Sequence, residues 1–494
     1  MNYFSTRDTK RTSPKTSAQV IKQGIAEDGG LFVPESIPQI DLDFIKNIGT
    51  LPYSERAAKI LSLYLTDYTY DELLDCAKKA YDTGFGDFAA PVSSFIGDDL
   101  RVLELWHGPT CAFKDMALQI MPRLLSLALK KTGEDRCAYI LVATSGDTGK
   151  AALEGYKDVD STKIMVFYPE DGVSDMQKMQ MATQEGSNVC VTAIKGNFDD
   201  AQTGVKKIFA DADAKQKLND KNCFLSSANS INWGRLAPQI VYYISAYADL
   251  VNEGDIKLGD KVDITVPTGN FGNIFAAYLA KKMGLPVNRF ICASNSNNIL
   301  TDFLNTGTYD RNRKFYTTMS PSMDILISSN LERLLFFIAG AEKTANYMKE
   351  LNEKGVYTVE KEVLDVIKSE FSAYFCSEED CAATIKSTFD KYSYLCDTHT
   401  AVAIKAAHLY LEETGSGTKN IVASTASPYK FAADVLISLG KEVPENIEKV
   451  LTYLSEVSNT PVPAPLANLF DKKVIFTKSV EKEHESLLNE VLSF

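Results

Sequence analysis

Residues 107–115, HGPTCAFKD, hold the side chain with the most definite chemistry in the chain, Lys114. Phe113 precedes it, Asp115 follows it, and Gly108, Pro109 and Thr110 make a small-residue approach. Beyond it Met116, Leu118, Ile120, Met121, Leu124, Leu125 and Leu127 recur at helical spacing. Lys114 therefore stands where a loop enters a helix whose other face is core. A lysine held against apolar neighbours gives up its charge more easily than a solvated one. The neutral amine is the form that condenses with an aldehyde. Taken alone, the stretch favours a lysine snorkelling from a helix start, the commoner case.

Small-residue loops downstream change that balance. Gly269, Asn270, Phe271, Gly272 and Asn273 follow a strand-like run and open a helix. Their glycines let the backbone approach a ligand, and a helix start favours negative charge. The loop lacks the lysine and the spacing of a nucleotide P-loop, so it suits one phosphate better than three. A tight turn with a capping asparagine is the plain alternative. Residues 144–149, TSGDTG, offer Thr144, Ser145, Asp147 and Thr148 to a substrate carboxylate, or simply cap a helix. Residues 227–235, SANSINWGR, place Ser227, Asn229, Ser230 and Asn232 at a helix start, with Arg235 one turn in. Arg235 can grip a second anion with its forked guanidinium or pair with a surface acid. The Thr425 hydroxyl, after another buried run, can donate to a ring nitrogen or bond the backbone. An aldehyde-reactive lysine, a monophosphate cradle and two further anion sites suit pyridoxal phosphate with a phosphorylated amino-acid substrate.

The elements that must position these loops follow from hydrophobic period. Strand-like runs at 102–105, 137–143, 163–168, 188–194, 224–226, 263–266, 289–293 and 420–423 alternate with helical patterns. That alternation predicts an α/β fold with a doubly wound, mostly parallel sheet, its ligands beyond the carboxyl ends of the strands. The expected organisation is a mostly helical N-terminal region over 1–100 and an α/β core of two subdomains over 101–305 and 395–460. A helical insertion without clear strands occupies 306–394. A tail over 461–494 carries one strand at 473–477 and a terminal amphipathic helix.

With 494 residues the chain has room for two or three domains, on a prior of roughly 100–200 residues each. The formal net charge of -13 argues against nucleic acid or an anionic membrane as partner. Nine scattered cysteines without a C-x-x-C pair fit free thiols in a reducing compartment. The N-terminal stretch has no apolar h-region, and no apolar run approaches the roughly 20 residues of a membrane span, so a cytoplasmic location is expected. Four histidines without metal-ligand spacing predict no metal site, and no G-x-S-x-G elbow is present.

HGPTCAFKD, TSGDTG, SANSIN, PTGNFGN, SPSMDI at 320–325 and DTHT at 397–400 together resemble the threonine synthases. The similarity is to the longer bacterial and fungal type, within the fold-type II, tryptophan synthase β-like pyridoxal-phosphate enzymes, and it runs along nearly the whole chain. It implies that Lys114 bonds the cofactor aldehyde, that residues 269–273 hold its phosphate and that Thr425 faces the pyridine nitrogen. It further implies a carboxylate site at 144–148 and a substrate-phosphate site at 229–232 with Arg235. The implied reaction, by a monomer or homodimer, turns O-phospho-L-homoserine and water into L-threonine and phosphate. The alternatives are a phospholyase that releases 2-oxobutyrate and a non-catalytic cofactor-binding homologue. Two departures stand out: Ser427 replaces a histidine usual before Pro428, and Asp147 stands where many fold-type II relatives have asparagine.

Overall fold

Runs of β-branched and apolar residues that alternate with amphipathic helices build two parallel sheets here. A computed structural model describes residues 1–494 except 87, 88, 98, 145 and 172, with backbone only at 93–95. The larger sheet has the strand order Phe371–Phe375, Val287–Ser294, Val262–Pro267, Asn420–Ser424, Leu100–Glu104, Val92–Ile96. All its neighbours are parallel except the last pair. The smaller sheet runs Ser479–Glu481, Val189–Lys195, Thr162–Pro169, Cys137–Ala143, Cys223–Ser226, parallel throughout. Its central strands are buried on both faces, which explains their unbroken apolar runs.

Two sheets joined by helices bring the carboxyl ends of many strands together. Close packing sets their distance. A Cβ on Gly155, in the helix Asp147–Tyr156, would lie 1.9 Å from the carbonyl oxygen of Leu118. Only glycine lets that helix rest on Asp115–Leu118, the helix that begins beside Lys114.

The N-terminal region contributes the helices Ser17–Gln23, Leu42–Ile48, Tyr53–Tyr64 and Tyr70–Tyr81 and a small hairpin of Tyr3–Ser5 with Phe32–Pro34. It closes over Trp233, whose ring meets Tyr3 at 5.4 Å and Tyr64 at 5.5 Å. Truncating a buried tryptophan to alanine costs about 3–5 kcal/mol, so this contact makes the region part of the core. The strand Val92–Ile96 joins the larger sheet, across the expected boundary at residue 100.

Residues 306–394 differ from the strandless insertion expected of them. Thr308–Asp310 pairs with Val356–Thr358, and Phe371–Phe375 forms the edge of the larger sheet beside Val287–Ser294. The five residues FSAYF follow the helix Lys361–Glu370 directly and are only alternately buried. Their extended state comes from hydrogen bonds to a distant strand, so their own periodicity merges with the helix before them. In the tail the strand falls at Ser479–Glu481 rather than 473–477, and the terminal helix is His484–Ser493. Among the described residues no helix is long and apolar enough to cross a membrane, and no cluster of metal-ligating side chains occurs.

Candidate active site

The backbone places Lys114. Residues 105–114 leave the strand Leu100–Glu104 and run beside residues 424–427. Leu105 N–H donates to Ser424 O (3.0 Å), Phe113 N–H to Thr425 O (2.8 Å), and Ser427 N–H to Cys111 O (3.1 Å). Asp115 fastens the loop by accepting from Thr110 N (2.8 Å) and Thr110 Oγ1 (2.7 Å). Burial lifts the Asp115 carboxyl to about 7 in spite of those bonds. Thr425, itself buried, is thereby fixed against the lysine loop.

The Lys114 amine donates to Ser322 Oγ at 3.1 Å and lies 3.7 Å from Asp147 Oδ2. Lost solvation is the largest influence on it. Asp147 opposes that loss, Arg235 and Lys430 reinforce it, and the amine is pulled down to about 8. Labelling of Lys114 by an amine reagent in the cofactor-free protein is therefore expected to rise through pH of about 8, well below the 10.5 of free lysine. Peptide mapping after pulse labelling reads this midpoint; a value at that of free lysine contradicts the buried placement.

Asp147 begins the helix Asp147–Tyr156 and accepts from Lys430 Nζ (2.7 Å) and Gln177 Nε2 (3.1 Å). Burial by itself raises its pKa, but Lys430 and Lys114 more than offset this and hold the carboxyl below the usual range. An ionised carboxylate repels another, so the Asp147 side chain anchors two lysines instead of receiving a substrate carboxylate. Thr144 Oγ1 is occupied within its own loop, accepting from Gly146 N and Gly149 N at 3.0 Å each. Of the other two expected carboxylate contacts, Thr148 is half-buried in the helix's first turn and Ser145 lies outside the described residues.

The turn at 269–273 is shaped for close approach. Phe271 takes the left-handed conformation at φ 61° and caps the helix Gly272–Met283. A Cβ on Gly269 would come within 2.8 Å of the Ser322 carbonyl oxygen, so the position admits only hydrogen. Ser328 Oγ donates to Gly269 O (2.7 Å), and Asn330 Nδ2 to Asn270 O (2.9 Å). Asn273 Oδ1 accepts from Tyr242 and Tyr243 (2.8 and 2.5 Å), yet its Nδ2 is buried without a partner among the described residues. A buried unpaired donor costs about 1–3 kcal/mol unless something accepts from it. An orphan donor on a glycine turn at a helix start fits a phosphate group.

The 227–235 segment divides. Arg235 is buried, donates to Ala228 O (2.8 Å), has no carboxylate partner among the described residues, and is pulled down to about 10 by burial. It is a cation still short of an anion. Asn232, in contrast, is fully engaged: Nδ2 donates to Ile21 O and Oδ1 accepts from Gly234 N, both at 2.9 Å. Asn229 is exposed and accepts from Ser230 Oγ at 3.3 Å. Ser227, Asn229 and Asn232 line a cavity of about 400 Å³ with Arg136 and Lys215; Lys114 is not among its lining residues. Asn232→Ala is expected to lower stability by about 1–3 kcal/mol, through the unpaired Ile21 carbonyl and the lost cap, without raising KM for a phosphorylated substrate. Urea unfolding and steady-state kinetics check it; a raised KM with stability intact would return Asn232 to the site.

Three residues that the sequence does not mark as site residues lie in or against this site. Ser322 lies in SPSMDI, inside the stretch expected to be an insertion. His399 lies in DTHT and accepts from Ser322 N–H at 3.1 Å. Lys430 follows Pro428 with nothing local to mark it as the buried partner of Asp147.

The family described as "Pyridoxal-phosphate dependent enzyme" matches residues 89–425. "Threonine synthase N terminus" matches 2–81 and "Threonine synthase, C-terminal" matches 400–489. Threonine synthase-like 1 of Homo sapiens is 40% identical over 467 residues, 92% of this chain and 62% of that protein. The chain thus spans less than two thirds of that relative. Threonine synthase of Saccharomyces cerevisiae is 37% identical over 485 residues, covering 90% of this chain and 93% of its own. The crystal structure of PLP-bound threonine synthase from Brucella melitensis superposes with a TM-score of 0.89 at 37% identity, covering 100% of this chain and 99% of that one.

Proposed function

The chain belongs to the threonine synthase family of pyridoxal-phosphate-dependent enzymes, and from that premise we propose that it converts O-phospho-L-homoserine and water to L-threonine and phosphate. Ser322 carries the assignment: its Oγ receives the Lys114 amine while its carbonyl packs where a Cβ on Gly269 would stand. A cofactor with an aldehyde at one end and a phosphate at the other requires a lysine and a phosphate turn drawn together in this way. Lys114 would hold the aldehyde, residues 269–273 the phosphate, and Thr425 the ring nitrogen. When bound, the cofactor supplies an electron sink for charge developing on the substrate's carbon skeleton.

The chain's own groups handle the protons and charges. Lys114 Nζ would take the substrate's α proton, return it to the conjugated skeleton of the bound substrate and cofactor, and so be neutral again to take the β proton. Ser322 Oγ holds that amine between transfers. Arg235 offers the leaving phosphate a desolvated guanidinium with no carboxylate of its own. Asp147, ionised between Lys430 and Lys114, limits the positive charge that the site must carry without substrate.

The protein acts in the cytoplasm as a monomer or homodimer, and its net charge of -13 sets it against nucleic-acid and anionic-membrane partners. The test is an absorbance spectrum of the purified protein before and after O-phospho-L-homoserine, with threonine, 2-oxobutyrate and phosphate counted. Threonine equal to phosphate supports the assignment. Phosphate matched by 2-oxobutyrate replaces it with a phospholyase, and a colourless protein that takes up no pyridoxal phosphate ends it.

A further inference from the structure

We propose that His399 is a positioning residue for Lys114: with Asp397 it holds the main chain of Ser322, and through Ser322 it sets the amine against the Gly269 turn. The proposal rests on Lys114 being the reactive amine.

The tautomer follows from the partners. Ser322 N–H can only donate, and it points at His399 Nε2 over 3.1 Å, so that nitrogen presents its lone pair. The ring proton is then on Nδ1, which donates to Asp397 Oδ2 over 2.8 Å. Asp397 is held in turn, accepting from His399 N (2.9 Å) and from Thr400 N (3.1 Å). Thr400 Oγ1 bonds Asp397 and also meets Ser424 Oγ at 2.9 Å, next to Thr425. His399 is 2% exposed, and Asp397 and Thr400 are 0%. A continuous chain of hydrogen bonds therefore runs from the Thr425 strand end through the buried Asp397 and His399 to Ser322, which is exposed, and on to Lys114.

Helix capping does not account for it. Asp397 caps the helix Thr398–Thr414 through backbone N–H groups alone. The cap has no need of an imidazole whose far nitrogen reaches across 77 residues to Ser322. That reach matters because Ser322 stands between both halves of the site: its Oγ is on Lys114, and its carbonyl is what a Cβ on Gly269 would strike. Losing the His399 acceptor leaves the Ser322 N–H unpaired, and the segment Pro321–Met323 is then free to move away from the amine.

The test compares His399→Leu, which removes the acceptor, with His399→Gln, whose Oε1 can accept from Ser322 N–H. In the cofactor-loaded enzyme His399→Leu is expected to lower kcat by about ten- to a hundredfold, with KM nearly unchanged, and His399→Gln to recover most of the loss. In the cofactor-free protein the labelling midpoint of Lys114 should move up in His399→Leu, because water enters beside the amine, and stay in place in His399→Gln. Nitrogen-15 NMR of histidine-labelled wild type, with four histidines to assign, should show His399 protonated on Nδ1. An unmoved midpoint and kcat in His399→Leu, no advantage of Gln over Leu, or a proton on Nε2 would each overturn the proposal. If His399→Leu does not fold, His399→Gln and the NMR experiment still decide. Labelling and NMR need no substrate, so a wild type that makes no threonine sinks the functional assignment without touching this result.

Discussion

Lys114→Ala is expected to abolish turnover of O-phospho-L-homoserine, a loss of about 10²–10⁴-fold or more, while the protein stays folded. The two halves of that expectation have separate causes. In the proposed reaction the amine would both hold the cofactor aldehyde and move protons, so no neighbour could stand in for it. Lys430, the other buried amine beside Asp147, is held by Asp147, Thr110 O and Gln180 Oε1. The fold, by contrast, gains little from Lys114. Its burial opposes its charge, and Asp147 keeps Lys430 and Gln177 when it is gone. Lys114→Arg is expected to be equally inactive, since a guanidinium does not lose its proton at working pH. The check is threonine production beside urea unfolding of the same preparations; a wild-type rate in Lys114→Ala refutes the role.

The second large effect is expected from Lys430→Met, chiefly in stability and secondarily in the titration of Lys114 in the cofactor-free protein. The Lys430 side chain is 0% exposed and lies 2.7 Å from Asp147. Removing one member of a buried ion pair leaves the other charge uncompensated, at about 3–5 kcal/mol. The effect on Lys114 has a definite sign. Lys430 is among the cations that lower its proton affinity, and Asp147 is the anion that raises it. Without Lys430 the full influence of Asp147 falls on Lys114, so its pKa climbs from about 8 and less neutral amine remains near neutrality. In the cofactor-free protein the labelling midpoint of Lys114 should therefore shift to higher pH. Adding Asp147→Asn removes the stranded charge, and the double variant should be less unstable than the two single losses together imply. Urea midpoints and pulse labelling of Lys114 against pH in the three cofactor-free variants test this; unchanged urea and labelling midpoints in Lys430→Met would sink it.

Much of the site was legible because it is written in backbone requirements. Lys114 sits between a glycine-proline loop and an apolar helix, and the 269–273 turn carries glycines before a helix start; both are local features. The strand Cys137–Ala143 was legible to its ends, because a doubly buried parallel strand reads as a continuous apolar run. Phe371–Phe375 was not, because an edge strand of five residues owes its conformation to the strand beside it. Side-chain allegiance was the least legible. Asp147 looked like part of an anion-binding loop but is itself the anion, and Asn232 looked like a ligand donor but ties down Ile21.

By itself the sequence determined the parallel α/β plan, the small-residue loops at strand ends, the placing of Lys114 at a helix start and the glycine turn, since period and glycine content act within a few residues. Only the tertiary structure decided which side chains serve those loops. Ser322 reaches Lys114 across 208 residues and Lys430 reaches Thr110 across 320. A hydrogen bond or ion pair depends on distance in space and on the solvent excluded around it, and neither is a property of neighbours in the chain.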